Sequence, residues 1–248
     1  MKEIFKRSAV LTDEPFHYCP GCSHGVITRL LAEVLEGMGL REVAIGVGPV
    51  GCSEVIVDYL EIDMAGAAHG RAIAVAIGLK RTQPDKFIFT YQGDGDLAAI
   101  GMAETVHAAA RGEKISVVFV NNAIFGMTGG QSAPTTLPGQ KTTTDPLGRE
   151  LSRGAGPIRV PELLSSLEGA CYLARVSVHT PEHVLKAKRA LRRAFECQMK
   201  GLGFSLVEVL STCPPNWHMS PKEATQWVQE RMLPSFPLGE FKVPGGGP

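Results

Sequence analysis

The stretch Tyr91–Asn122, YQGDGDLAAIGMAETVHAAARGEKISVVFVNN, decides the fold. Phe87-Ile88-Phe89-Thr90-Tyr91, aromatic and β-branched, enters it as a strand. Leu97 to Arg111, rich in Ala, Met and Glu, reads as a helix that Gly112 stops. Ile115 to Val120 reads as a second strand, closed by Asn121-Asn122. A helix of ~14 residues covers ~21 Å at its 1.5 Å rise, and a strand of ~6 residues returns over ~20 Å. The chain therefore goes out and comes back. Asp94 and Asn122 fall at the same edge of a parallel sheet, the carboxyl end of its strands, where open α/β sheets bind ligands.

The groups at that edge suit a hard cation. Asp94 brings a carboxylate, Asn122 an amide oxygen and Ile124 a backbone carbonyl. Mg²⁺ takes few protein oxygens and completes its shell with phosphate oxygens and water. Gly93 and Gly95 let the backbone approach a diphosphate, and the helix after Asp96 points its N-terminus toward it. A lone Gly-Asp-Gly is also an ordinary turn. With strand, helix and strand leading to a paired Asn, the stretch resembles the thiamine diphosphate motif.

Outward from this unit, residues 1–18 read as an irregular arm broken at Pro15. Ser23 is placed to cap a helix to about Met38, with Val26, Leu30, Leu31, Val34 and Leu35 as its apolar stripe. Val43–Val47 is a short buried strand, and a less regular segment runs through Asp58, Tyr59 and Asp63. Arg71 to about Thr82 is helical. Residues 123–160 form a long loop whose length without structure points to an active-site or partner role. Thr128 and Gly129 lie in it, just past the Asn pair and within reach of phosphate. Pro161–Gly169 is a short helix and Cys171–Val178 a strand; Thr180-Pro181-Glu182 opens a basic helix to about Lys200. Phe204–Val209 is a strand, Pro221 to about Met232 a short helix, and 234–248 a Gly/Pro tail. The alternation predicts a single α/β domain over 1–248, with a mostly parallel sheet and helices on both faces.

Net charge is zero, so nothing marks a surface for nucleic acid. No run approaches ~18 apolar residues, and MKEIFKRSAVLTDEP lacks the apolar centre of a signal peptide. A cytoplasmic location, with no membrane partner, is the expectation. There the six cysteines read as thiols or metal ligands rather than disulfides. Cys19 and Cys22 have the bite of one metal or cluster, while Cys52 and Cys213 each follow a strand at the carboxyl edge. Spacing alone leaves a [4Fe–4S] cluster and a zinc site equally open. Cys171 and Cys197 read as small hydrophobes, and His24 and His107 as structural.

Six segments occur in order: His17–Cys22 (HYCPGC), Gly51-Cys52-Ser53, Ala68-His69-Gly70-Arg71, Gly93-Asp94-Gly95-Asp96, Gly126–Gln131 (GMTGGQ) and Leu210–Pro214 (LSTCP). Together they resemble the β subunit of 2-oxoacid:ferredoxin oxidoreductases, and Cys213-Pro214-Pro215-Asn216-Trp217 is similar to the 2-ketoisovalerate type. The resemblance implies a thiamine diphosphate-binding fold of the diphosphate-binding type. It implies Mg²⁺ on Asp94, Asn122 and the Ile124 carbonyl, with Gly93, Gly95, Asp96, Thr128 and Gly129 in the cofactor-binding set. It settles the cysteines on a [4Fe–4S] cluster held by Cys19, Cys22, Cys52 and Cys213. His69 and Arg71 are implied near the diphosphate or the mouth of the site; His69 reads equally as a helix cap or a hydrogen-bonded core side chain.

The activity implied is oxidative decarboxylation of a 2-oxoacid to acyl-coenzyme A, with electrons passed to ferredoxin. Relatives acting on 2-oxoglutarate often carry a Lys just past the Cys-Ser pair. Here Glu54-Val55-Ile56-Val57 follows, which favours a branched, apolar 2-oxoacid. In this family the acidic residue that activates the cofactor lies on a separate pyrimidine-binding domain, for which one α/β unit has no room. Repeated ferredoxin-type cysteine runs are lacking too. The expected partners are a pyrimidine-domain subunit, ferredoxin-like and γ-type subunits, and ferredoxin. Two other readings stand beside this one: a subunit of a non-oxidative thiamine enzyme, without iron, and a Cys₄ zinc scaffold, without thiamine diphosphate.

Overall fold

Seven strands form one sheet in the computed structural model, which describes residues 6–150 and 156–245. The strands are β1 (Ala44–Pro49), β2 (Asp63–Ala67), β3 (Phe87–Gly93), β4 (Ser116–Asn121), β5 (Ala170–Ser177), β6 (Phe204–Leu210) and β7 (Gly239–Lys242). Their order is β2-β1-β3-β4-β6-β5-β7, and every pairing is parallel except that of β7 with β5. Central strands β1, β4 and β6 are buried along their whole length, as expected of parallel strands covered on both faces.

The alternation of side chains sorts the core into two layers. Phe87, Phe89 and Tyr91 point to one face, where α1 (His24–Gly37) supplies Ile27, Leu31 and Leu35 and α5 (Pro181–Met199) supplies Leu191 and Phe195. Ile88, Val117 and Phe119 point to the other, packed by α2 (Ala72–Thr82), α3 (Met102–Arg111) and α4 (Val160–Ser165). Burying each such side chain stabilises the fold by about 1.5–3 kcal/mol. The α5 residue Gln198 reaches into the sheet, accepting from the Ile88 N–H at 2.8 Å and donating to its carbonyl at 2.7 Å. A polar side chain is tolerated at that depth because its hydrogen bonds are made.

Four differences from the sequence expectation have physical causes. The segment through Asp63 is strand β2, half exposed at the sheet edge, so it lacks the apolar run that marks a buried strand. Strand β7 lies inside the expected tail and pairs antiparallel with β5. The helix expected over 97–111 is split. Gly95–Ile100 is a π-helical turn, closed by the Gly101 N–H donating to the Asp96 carbonyl at 2.8 Å, before α3 begins. Ser23 does not cap α1, because its hydroxyl is engaged with Thr212.

Past Asn122 the described part of the long loop carries no helix or strand before Val160. It is nevertheless anchored: the Thr136 hydroxyl and Gln140 amide both donate to the Ala123 carbonyl, at 2.7 and 3.0 Å. Ala123, Ile124 and Leu137 join Trp217, Val228 and Phe236 in a third, smaller core at the carboxyl end of the sheet. Short helices α6 (Pro214–Trp217), α7 (Pro221–Trp227) and α8 (Leu233–Ser235) cover it. The ends of the expected arm and tail, and positions 151–155 of the expected loop, lie outside the described residues. No described helix is long and apolar enough to cross a membrane.

Candidate functional site

Asp94 leaves the carboxyl end of β3 and starts the π-helical turn, its Oδ1 accepting from the Gly95 N–H at 3.0 Å. Its Oδ2 accepts from the Ile124 N–H at 3.1 Å and from the Thr135 hydroxyl at 2.5 Å. The Asn122 amide oxygen lies 3.3 Å from the same Ile124 nitrogen. Oxygens from two neighbouring strands thus converge at one point. Burial lifts the Asp94 carboxyl to about 7, against the pull of its hydrogen bonds from Thr135, Gly95 and Ile124. None of those partners is a cation. A buried carboxylate short of positive charge, beside an amide oxygen, has the donor set and the electrostatic need of a Mg²⁺ site.

The surrounding cleft is lined by His69, Gly93, Asp94, Gly95, Asp96, Asn122, Ile124 and Thr128, with Cys52 and Gly126 in the same wall. Gly95 has no room for a side chain, since a Cβ would sit 2.3 Å from the Phe125 ring. Asp96 is spent on structure. Its oxygens accept from the Gly70 N–H at 2.5 Å and the Gln92 amide at 2.6 Å, and His69 Nδ1 stands 2.9 Å away. Asp96 therefore ties down the Gly70 loop next to His69 while itself lining the cleft. Arg71 turns to Glu104 at 2.5 Å and is not part of the cleft wall. The Thr128 hydroxyl donates to Gln131 Oε1 at 2.5 Å, while its neighbour Gly129 stands outside the lining. His24 is buried at the base, its Nδ1 2.7 Å from the Tyr91 hydroxyl, and burial lowers its pKa to about 4. His107 is exposed on α3.

The cysteine wall adjoins this cleft. A Cβ built on Gly126 would lie 3.4 Å from Cys52 Sγ and 3.6 Å from Cys213 Sγ, so the two thiols flank the backbone just past Asn122. The Cys22 N–H donates to the Cys19 carbonyl at 3.0 Å, closing the Cys-Pro-Gly-Cys turn. Burial pushes the Cys22 thiol up to about 12, and Cys213, Cys52 and Cys19 add to the rise. Cys52 goes to about 11 for the same reasons, burial first and then Cys213 and Cys19. Four thiols within electrostatic reach of one another, none paired with a cation, match the soft donor set of an iron–sulfur centre. Among the described residues no three His, Cys, Asp or Glu side chains meet as closely as one metal ion requires. Cys171 and Cys197 interact with each other through their thiols, and neither lines the cleft.

Several residues of the site escaped the sequence. Asn216 donates its amide to Cys213 Sγ at 3.2 Å and to the Gly126 carbonyl at 2.9 Å, tying the cysteine wall to the Asn122 loop. The Ser23 hydroxyl contacts the Thr212 hydroxyl at 2.9 Å, and Thr212 donates to the Gly21 carbonyl at 2.6 Å. That clasp brings Cys22 and Cys213 together from opposite ends of the chain. Asn216 and Thr212 stand inside the quoted Cys-Pro-Pro-Asn-Trp and Leu-Ser-Thr-Cys-Pro runs, a usable signal, whereas Thr135 had none.

The cleft is narrow, about 70 Å³, where small-molecule pockets run to roughly 300–1,000 Å³. Val50 and Met127 line it and are exposed. A larger cavity of about 560 Å³ lies between α5 and β5 and contains none of the motif residues.

Residues 50–209 match the family model described as thiamine pyrophosphate enzyme, C-terminal TPP binding domain. The chain is 42% identical over 242 residues to the ketoisovalerate oxidoreductase subunit VorA of Methanothermobacter thermautotrophicus, covering 98% of this chain and 51% of that relative. It is 35% identical over 216 residues to the 2-oxoglutarate synthase subunit KorB of Archaeoglobus fulgidus, covering 87% of this chain and 76% of that relative. The chain thus spans about half the length of the ketoisovalerate relative. Among solved structures it is similar to a chain of "2-oxoglutarate:ferredoxin oxidoreductase from Magnetococcus marinus with 2-oxoglutarate, coenzyme A and succinyl-CoA bound". The TM-score is 0.79 at 23% identity, over 99% of this chain and 87% of that one, a likeness of fold.

Proposed function

We infer the function from one premise: this chain belongs to the thiamine pyrophosphate-binding subunits of the 2-oxoacid:ferredoxin oxidoreductases. It serves as the β-type subunit of such an enzyme in the cytoplasm, oxidising a 2-oxoacid to an acyl-coenzyme A and passing the electrons to ferredoxin. One observation carries this reading: Cys52 lines the same cleft as the Asp94–Asn122 oxygens, and Cys213 stands beside it across Gly126.

When bound, thiamine diphosphate supplies the carbon nucleophile and electron sink for decarboxylation, and the cluster supplies one-electron acceptor chemistry. The chain's own residues do the rest. Asp94, Asn122 and the Ile124 carbonyl hold Mg²⁺; Gly93 leaves the backbone bare for the diphosphate, Gly95 admits the Phe125 ring behind it, and Thr128 completes the cradle, with Gly129 next to it outside the present lining. His69, steadied by Asp96, stands at the cleft wall, and Arg71 braces the loop from outside through Glu104. Cys19, Cys22, Cys52 and Cys213 hold the cluster. The narrow cleft, with exposed Val50 and Met127 in its lining, is completed by a pyrimidine-domain subunit. Ferredoxin-like and γ-type subunits carry the electron exit and much of the coenzyme A site.

The cleft lining contains no Lys or Arg among the described residues, so no cation waits for a distal carboxylate. An apolar, branched 2-oxoacid such as 2-ketoisovalerate fits that wall. The test is anaerobic purification with the partner subunits, followed by iron, zinc and acid-labile sulfide assays. About four irons and four sulfides per chain are expected; one zinc and no sulfide would sink the cluster. In turnover assays, kcat/KM for 2-ketoisovalerate should exceed that for 2-oxoglutarate by about tenfold or more. The reverse order would overturn the substrate assignment.

Asn216 offers an independent check. An N–H donor to a ligating sulfur favours the more negative, reduced cluster. Asn216→Leu should therefore make reduction harder by up to about tenfold, ~59 mV for a one-electron couple. An anaerobic redox titration followed by electron paramagnetic resonance reads the shift, and an unchanged potential would remove Asn216 from the cluster's surroundings.

A further inference from the structure

A chain of buried charge crosses the middle of the sheet, where apolar side chains would be expected. The Asn121 amide on β4 donates to Glu208 Oε1 on β6 at 2.7 Å. Glu208 Oε2 accepts from Arg175 Nε on β5 at 2.6 Å, and both charged side chains are fully buried. Arg175 then donates through both terminal nitrogens to the Glu162 carboxylate, at 2.8 and 2.6 Å, and to the Pro237 carbonyl at 3.1 Å. Its guanidinium also lies over the Phe236 and Phe241 rings, 5.3 and 5.0 Å from their centroids.

Stability alone is a poor reason for Glu208. A buried ion pair can often be exchanged for well-packed apolar residues without loss, and Glu162 already gives Arg175 a bidentate counter-charge. What Glu208 uniquely provides is an acceptor for Asn121. With its nitrogen committed to Glu208, the Asn121 amide turns its oxygen to the Ala123 N–H, at 3.0 Å. Ala123 is a non-glycine residue at φ 57°, a conformation that needs holding. The turn it makes sets the Asn122 oxygen and the Ile124 backbone against Asp94.

We propose that Glu208 is the positioning residue of the Mg²⁺–diphosphate site. Held by Arg175, it orients the Asn121 amide, and Asn121 locks the Ala123 turn that aims Asn122 and Ile124. The role rests on the thiamine reading given above. It belongs to an outer layer of contacts, whose loss weakens metal affinity by about 10–100-fold.

The experiment uses the complex assembled with its partner subunits and stripped of cofactor by a chelator. Mg²⁺ and thiamine diphosphate are then titrated back by equilibrium dialysis, with thermal unfolding measured in parallel. The pair Glu208→Leu with Arg175→Met keeps the core apolar but removes the acceptor. Its affinity should fall about tenfold while its Tm holds. Asn121→Ala, which leaves the ion pair intact, should weaken binding by as much. Glu208→Gln combined with Arg175→Met, which leaves the single Gln oxygen for Asn121, should bind within about twofold of the wild type. Wild-type affinity in Asn121→Ala or in Glu208→Leu with Arg175→Met overturns the role. So does a loss in Glu208→Gln with Arg175→Met equal to that of Glu208→Leu with Arg175→Met, which would point to charge or packing. A wild-type complex that binds no thiamine diphosphate overturns the functional reading itself, which the variant comparison does not confuse with the failure of this role.

Discussion

Asp94→Ala is expected to abolish retention of Mg²⁺ and thiamine diphosphate by the assembled enzyme. The fall in kcat/KM should be on the order of 10³-fold, about 4 kcal/mol of lost stabilisation. The reason lies in the carboxylate's surroundings. Asp94 is buried, accepts only neutral donors and faces the Asn122 oxygen, so a cation there has this one full protein charge to meet. Asp94→Asn separates binding from folding. It keeps the shape and removes an uncompensated buried charge, so the cofactor-free protein should be at least as stable as the wild type. Isothermal titration and thermal unfolding read the two effects apart. Retained cofactor affinity in Asp94→Asn would sink the assignment, since a merely structural Asp94 would lose stability and not binding.

Cys52→Ala should empty the iron site without emptying the thiamine site. With one ligand of four gone and its thiol not replaceable by a neighbour, iron should fall from about four per chain to under one. Thiamine diphosphate should still bind, because Asp94 and Asn122 reach it from other strands. The controls are Cys171→Ser and Cys197→Ser, whose thiols interact with each other and lie outside the cleft. Their iron content should match the wild type. Equal iron in Cys52→Ala, or lost iron in the controls, would reassign the ligands.

Both predictions address residues that could be named from spacing. Asp94 and Asn122 were legible because a strand, a helix and a strand of matching reach must return to one edge, and the sheet does place them there. The two-faced core followed from the same alternation. What stayed hidden is what depends on neighbours distant in sequence. Asp96 belongs to a motif run, yet Gln92 and Gly70 use its oxygens. Ser23 has the right residue type and place for a helix cap, yet Thr212 takes its hydroxyl. Edge strands β2 and β7 lack the doubly buried pattern that identifies their central neighbours. The π-helical turn at Gly95–Ile100 is invisible to a count of helix formers, because one carbonyl choosing a partner five residues on decides it.

The clasp between Ser23 and Thr212 also sets a timetable for the cell. Its two halves are 189 positions apart, and Cys22 and Cys213 stand just outside them. At ordinary synthesis rates the ribosome needs roughly 10–40 s to cover that distance. Throughout that interval Cys19 and Cys22 are made and waiting, while Cys213 does not yet exist. Under the cluster assignment proposed above, iron delivery to this subunit is expected to follow synthesis rather than accompany it. A nascent chain stalled before Thr212 should carry none.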